Sequence, residues 1–239
     1  MAFLQEPRAP HQPLLRVPFV VVATIAVLVL AYLGWSFAPP HIADSILFNF
    51  AFIPARYSAQ YLAAHAAAPQ SLLALAVPFL SYTLLHGDLG HVAINCLWLL
   101  AFGPIVARRW GAGLFLTVFG LCAIAAAGAH LATNWGAIDP VIGASGAISG
   151  LMGVGIRMLR GRVWLEGEPF PRLAPLFSGQ IAVFTLFWLL ANVFAGLTGL
   201  GMDGQARLIA WQAHIGGYFA GLFLATPFDA FARSRPLNR

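Results

Sequence analysis

The chain has 239 residues, of which 60% are hydrophobic and only 9% charged, with a net charge of +5 and a mean hydropathy of +0.80. A soluble domain carries about 25% charged residues, so this chain lacks the charge to cover a water-facing surface, and a water-soluble protein is excluded. Its basic residues are all arginines in short runs between apolar segments; that pattern sets membrane topology and offers no basic-aromatic surface to nucleic acid.

Residues 1–16 are polar and Pro-rich and read as a cytoplasmic tail. The first predicted span is 17–37. No signal-peptide cleavage is expected after it, because it ends at Trp35-Ser36-Phe37-Ala38-Pro39-Pro40 with no small-residue site. The connection 38–90 is half apolar and broken by Pro54 and Pro78; a structureless loop of that length is disfavoured, so interfacial or re-entrant helices are expected. Residues 71–85 form an ambiguous apolar piece within it. Further spans are predicted at 89–106, 112–132, 145–159 (short and glycine-rich), 177–197 and 209–228, leaving 229–239 as a second cytoplasmic tail. The expected fold is therefore an all-α polytopic bundle of six transmembrane helices, a single domain over 17–228. Cys96 and Cys122 fall inside apolar runs without a CxxC or metal-ligand neighbour and read as small buried hydrophobes.

Arginine orients this bundle. With six spans and both ends cytoplasmic, the inner segments hold Arg8, Arg16, Arg108, Arg109, Arg157, Arg160, Arg162, Arg172, Arg233, Arg235 and Arg239, while the outer ones hold only Arg56 and Arg207. That is a strong positive-inside bias. Treating 71–85 as a seventh span weakens it.

Polar side chains inside a span are costly and mark function by default. Three groups qualify: His91 with Asn95 in span two, Ser145 at the head of span four and His214 in span six. All three spans run from outside to inside. At ~1.5 Å per residue, Asn95 (counted from Asp88) and His214 (counted from Arg207) each lie ~10 Å below the outer boundary. Span four covers only ~18 Å from Ser145 to Arg157, so in a ~30 Å hydrocarbon core Ser145 starts ~12 Å deep. One layer holds all three groups. A helix that begins at that depth exposes unpaired backbone N–H groups, which is tolerable only beside a wet cavity.

Gly146xxxGly150 and Gly217xxxGly221 are close-packing patterns that would bring spans four and six together and Ser145 within hydrogen-bond reach of His214. That is a nucleophile and base for acyl transfer. The N–H groups at the head of span four, including the turn through Gly143 and Ala144, would face an oxyanion beside the Ser145 hydroxyl. Asn95, on the same face as His91 at i+4, is a candidate side-chain donor. The acids Glu6, Asp44, Asp88, Asp139, Glu166, Glu168, Asp203 and Asp229 all fall outside the predicted spans. A serine–histidine pair without a third member is therefore expected, and an aspartyl pair or an HExxH zinc site is not. Taken singly, each of these residues has a plain structural reading as a helix-to-helix hydrogen bond. The coincidence of motif, depth and side favours chemistry.

These residues resemble the rhomboid family of intramembrane serine proteases. His86-x4-His91-x3-Asn95 is similar to its HxxxxHxxxN signature, Gly143-Ala144-Ser145-Gly146 to its GxSG, and Ala213-His214-Ile215-Gly216-Gly217-x3-Gly221 to its AHxGGxxxG. The resemblance covers 80–228. It implies a Ser145–His214 catalytic dyad, His91 and Asn95 at the oxyanion, span five as a lateral gate, transmembrane protein segments as substrates, and no metal or cofactor. The chain departs from the pattern at Val77-Pro78, where many members have Trp-Arg, at Ala107, where Glu is common, and at Ser149, where some have an aromatic packed on the catalytic histidine. The expected function is cleavage of transmembrane segments near their outer ends. The lysine-free, Ala- and Arg-rich composition points to a bacterial cytoplasmic membrane. A non-proteolytic rhomboid-like protein that binds membrane clients is the rival reading, and an intact Ser145 and His214 argue against it.

Overall fold

Lipid offers no hydrogen bonds, so an apolar chain within it must satisfy its own backbone, and the helix does this residue by residue. The computed structural model describes residues 17–64, 71–161, 170–198 and 210–234. Among these residues the regular elements are all helical; the single β contact is an isolated bridge between Phe52 and Val141. The expected tail 1–16, residues 235–239, and Glu166, Glu168, Asp203 and Arg207 lie outside the described residues.

Helix α1, Phe19–Ser36, starts directly after Pro18. Only Val21 and Leu28 of this helix are buried, while Phe19 and Leu30 are exposed. So much bare apolar surface requires a lipid partner.

The connection that follows is a series of short helices. They are α2 (Pro40–Phe50), a 3-10 turn (Pro54–Tyr57), α3 (Ala59–Ala64), α4 (Leu72–Ala76), α5 (Pro78–Ser81) and a second 3-10 turn (Tyr82–Leu84). Pro40, Pro54 and Pro78 each sit at the first position of an element, where a missing N–H costs nothing. Pro78 thus divides the ambiguous 71–85 segment into two helices and a turn. Arg56 is buried and ties the connection together: its guanidinium donates to the carbonyls of Phe48 (2.9 Å) and Ala74 (3.3 Å) and lies over the Phe48 ring. The Tyr57 hydroxyl donates to the Leu75 carbonyl at 2.8 Å.

Helix α6 runs 45 residues, Leu89–Thr133. At ~1.5 Å per residue that is over twice a ~30 Å hydrocarbon core. It is interrupted at Gly111, whose φ of 79° and ψ of 172° leave the helical region. The chain reverses there. His91 and Ala126, on opposite sides of the break, both pack on the 143–146 segment, while Arg109 beside the break reaches the far end of the bundle. Two antiparallel arms, 89–110 and 112–133, correspond to the second and third predicted spans.

Helix α7, Ser145–Leu159, occupies the centre, with every residue from Gly146 to Met158 buried. Helix α8 is Gly179–Thr198 and helix α9 is Trp211–Ser234. Among the described residues four helices, α1, α6, α8 and α9, are long and apolar enough to cross a bilayer, and α7 is shorter but apolar. Helices α7 and α9 pack through glycine. A Cβ on Gly217 would strike the Gly146 carbonyl, and one on Gly221 the Gly150 carbonyl. Cys122 also packs against Gly150, so it acts as the small buried hydrophobe the sequence suggests.

Two expectations need correction here. The last helix continues to Ser234, so Asp229, expected in a tail, is helical and buried. It is tolerated because its carboxylate accepts from Arg109 Nε (2.6 Å), Arg109 Nη2 (2.9 Å), Trp110 Nε1 (3.1 Å) and Arg233 Nε (3.0 Å). Arg157, counted above among the inner-segment arginines, is also buried. It donates to the carbonyls of Ala174 (3.1 Å) and Leu222 (3.0 Å) and to Thr226 Oγ1 (2.7 Å), joining α7 to α9.

Candidate active site

The segment entering α7 is held from three directions. Phe52 and Val141 exchange backbone bonds (3.0 and 2.8 Å), and Ala55 N–H donates to the Ala137 carbonyl (2.8 Å). Gly143 N–H donates to the Tyr82 carbonyl at 2.9 Å. Ala144 N–H donates to His86 Nε2 at 3.4 Å. Gly143 is required here on two grounds. Its φ of 112° disfavours any side chain, and a Cβ there would lie 2.6 Å from His91 Nε2.

His86 is fully buried, edge-on to the His91 ring at 4.9 Å. Because its Nε2 accepts, its Nδ1 carries the proton, facing the Leu84 carbonyl at 3.4 Å. Burial, assisted by His91, pushes the His86 ring down to about 4. It is therefore neutral at pH 7 and works as a clamp on the turn. Asp88 caps α6, its Oδ1 accepting from His91 N–H at 2.8 Å, which sets where His91 and Asn95 point.

This scaffold puts Ser145 at the first position of α7. The glycine contact brings α9 alongside, and Ser145 Oγ lies 2.8 Å from His214 Nε2. These two come from residues 69 apart in sequence. The other ring nitrogen, His214 Nδ1, lies 2.8 Å from Asn192 Oδ1 on α8. The first turn of α7 leaves the N–H groups of Ser145, Gly146 and Ala147 without helical acceptors beside the Ser145 hydroxyl.

The arrangement joins most of the residues singled out in the sequence. Ser145 and His214 meet. His91 packs on Gly143, one residue from the Ala144 turn. Gly146, Gly150, Gly217 and Gly221 form the helix contact that closes the pair. Three expectations change. The Gly143 and Ala144 N–H groups, expected to face an oxyanion, are donated here to the Tyr82 carbonyl and to His86 Nε2. Asn95 is buried and donates to the His91 carbonyl at 2.9 Å, within its own helix. The histidine also has a neighbour on its other ring nitrogen, Asn192 Oδ1. The expectation of a pair without a third group rests on the acids alone, whereas Asn192 is an amide.

Sequence reasoning passed over Asn192 and the role of His86. Asn192 had a signal, being an amide deep inside the apolar run 177–197, twelve residues past Gln180 near its start, the kind of residue that marks function by default. His86 had none beyond its motif, because its partner Ala144 is a backbone group 58 residues away.

A family model described as the rhomboid domain matches residues 75–229. Among curated proteins, the chain is 30% identical over 156 residues to "Rhomboid protease GlpG" of Pectobacterium atrosepticum, an alignment that covers 65% of this chain. The chain spans about half the length of that relative, with 49% of it aligned.

Proposed function

The chain belongs to the rhomboid family, and from that premise we propose that it is an intramembrane serine endopeptidase that cuts transmembrane segments of other proteins near the outer face of a bacterial cytoplasmic membrane. The observation that carries this reading is the 2.8 Å approach of Ser145 Oγ to His214 Nε2 at the head of a buried helix. In the proposed reaction Ser145 Oγ attacks the substrate carbonyl while its proton passes to His214 Nε2. The tetrahedral oxyanion is held by the N–H groups of the first turn of α7, with Asn95 and His91 as side-chain donors. His214 then protonates the leaving amine. Water enters and attacks the acyl carbon as its proton passes to His214, which then returns that proton to Ser145 Oγ as the acyl–oxygen bond breaks and the acid product leaves.

The break at Gly111 supports a count of six crossings: α1, the two arms of α6, α7, α8 and α9. With arginine on the inner side this places both ends of the chain in the cytoplasm. The short helices of 38–90 would lie on the outer bilayer surface. The test is reconstitution. In proteoliposomes the chain is expected to cut a single-span substrate within its membrane segment, near the outer end. A chain that co-purifies with the substrate but leaves it whole would favour the rival client-binding reading.

Asn95 supplies a second test. It is expected to turn from the His91 carbonyl toward the developing oxyanion, so Asn95→Ala should lower kcat by about 10-fold to 10²-fold, less than the loss of a sole donor. The melting temperature should move little. A wild-type kcat in folded Asn95→Ala, with a lowered melting temperature, would make the residue purely structural.

A further inference from the structure

We infer that Asn192 is a positioning residue that fixes the catalytic tautomer of His214, so that the site works as a Ser145–His214–Asn192 chain; the inference rests on the serine–histidine reading above. The argument begins with α8. Only Ile181 and Asn192 of this helix are buried, in a run that otherwise turns valine, leucine and phenylalanine outward. An amide in that position needs partners for both its ends. Its Nδ2 donates to the Trp188 carbonyl, one helical turn back, at 2.8 Å. A carbonyl can only accept, so the nitrogen end of the amide is fixed there and the oxygen end faces His214.

That orientation decides the histidine. Asn192 Oδ1, at 2.8 Å, can only accept, so His214 Nδ1 carries the proton and donates it. His214 Nε2 is then left with its lone pair, 2.8 Å from the Ser145 hydroxyl, which donates to it. This is the tautomer that a general base requires. An asparagine in the third position can fail, because a flipped amide offers N–H to the ring and selects the wrong tautomer. The Trp188 carbonyl prevents that flip. Ser149, one turn after Ser145, donates its hydroxyl back to the Ser145 carbonyl at 2.7 Å.

The Asn192 bond also crosses between helices. The Thr185–Tyr218 hydroxyl pair, at 2.8 Å, also links α8 to α9. A displacement of α8 away from α9 would therefore take the orienting group off His214.

The experiment compares purified wild type, Asn192→Leu, Asn192→Asp and Thr185→Val in detergent. Leucine keeps the shape and suits an apolar helix but accepts no hydrogen bond. Aspartate keeps an acceptor toward the ring. Thr185→Val removes the other polar link of α8 and controls for loosening of the helix. The first readout is the rate of Ser145 labelling by a fluorophosphonate, which needs the nucleophile and base but no peptide substrate. A ring left to choose between tautomers is expected to lose about 10-fold to 10²-fold, less than the ~10⁴ that follows when the wrong tautomer is enforced. Asn192→Leu should show that loss in the maximal rate with little change in probe affinity. Asn192→Asp should restore labelling, and Thr185→Val should match wild type. The second readout is the ¹⁵N spectrum of the histidines. Wild-type His214 should carry its proton on Nδ1, and Asn192→Leu should give a tautomer mixture.

Wild-type labelling and an unchanged His214 spectrum in folded Asn192→Leu would overturn the inference. If the leucine variant does not fold, the aspartate variant decides, since loss of labelling by folded Asn192→Asp would also overturn it. Failure of the underlying reading looks different. The probe would then react equally with Ser145→Ala, while the His214 spectrum would still report whether Asn192 sets the tautomer.

Discussion

Ser145→Ala is expected to reduce cleavage of a single-span substrate by at least about 10⁴-fold, His214→Ala to reduce it comparably, and the double variant to be no slower than either. The reason is that the two side chains perform one act. At 2.8 Å the hydroxyl of Ser145 is useful only if His214 Nε2 takes its proton, and His214 has no proton to take if the hydroxyl is gone. Removing the second partner from an already broken unit removes nothing further. Neither substitution should lower thermal stability much, because Ser145 heads α7 without a side-chain capping bond and α9 is held to α7 by glycine contacts below the site. The measurement is product formation in proteoliposomes with folding checked by thermal unfolding. Appreciable cleavage by pure Ser145→Ala would end the assignment. Losses that multiply in the double variant would show that the two residues act separately.

The largest expected effect on stability lies at the other end of the same helix. Asp229→Ala should destabilise the fold by ~3–5 kcal/mol, the usual consequence of leaving one side of a buried ion pair uncompensated. Arg109 has a side chain only 5% exposed and gives two of its N–H groups to Asp229. Trp110 Nε1 would lose its acceptor as well. Arg233 is better protected, since it also donates to the carbonyls of Phe170 and Pro171. Replacing both charges, as in Arg109→Met with Asp229→Leu, should recover part of the loss, because an apolar pair needs no compensation. Asp229 is fifteen residues from His214, ~22 Å along the helix, so kcat of the folded fraction should stay near wild type. Equilibrium unfolding in mixed detergent checks this, and a change under ~1 kcal/mol would mean the cluster is more hydrated than its burial implies.

Much of this architecture was legible before any coordinates. Ser145–Leu159 was readable because glycine and small residues begin abruptly after Pro140 and stop at the arginines. The Ser145–His214 approach was readable because the glycines on the two helices have the spacing that close backbones require. Other features were not. Gly111 looked like an ordinary break between two spans, and only its left-handed φ shows that one residue makes the turn. The last span is expected to end at Phe228, whereas the helix runs on to Ser234 and carries the charged Asp229. Its neutralisation comes from Arg109 and Trp110, more than a hundred residues earlier, and no local pattern reveals that. The partners of the turn before Ser145 were hidden for a similar reason. Gly143 and Ala144 present N–H groups in the right turn, but Tyr82 and His86 reach in from the preceding connection and accept them.

By itself the sequence determined that this is a multi-pass helical membrane protein with Ser145, His214, His91 and Asn95 near one level. Length, apolarity and helical rise suffice for that, because lipid forbids an unpaired backbone and each residue advances the chain by a constant step. Which group each nitrogen and oxygen faces was decided only by the tertiary structure. A hydrogen bond exists or fails over a few tenths of an ångström. The bonds that matter most here, Asn192 to His214, His86 to Ala144 and Asp229 to Arg109, join separate segments whose approach depends on how the helices pack.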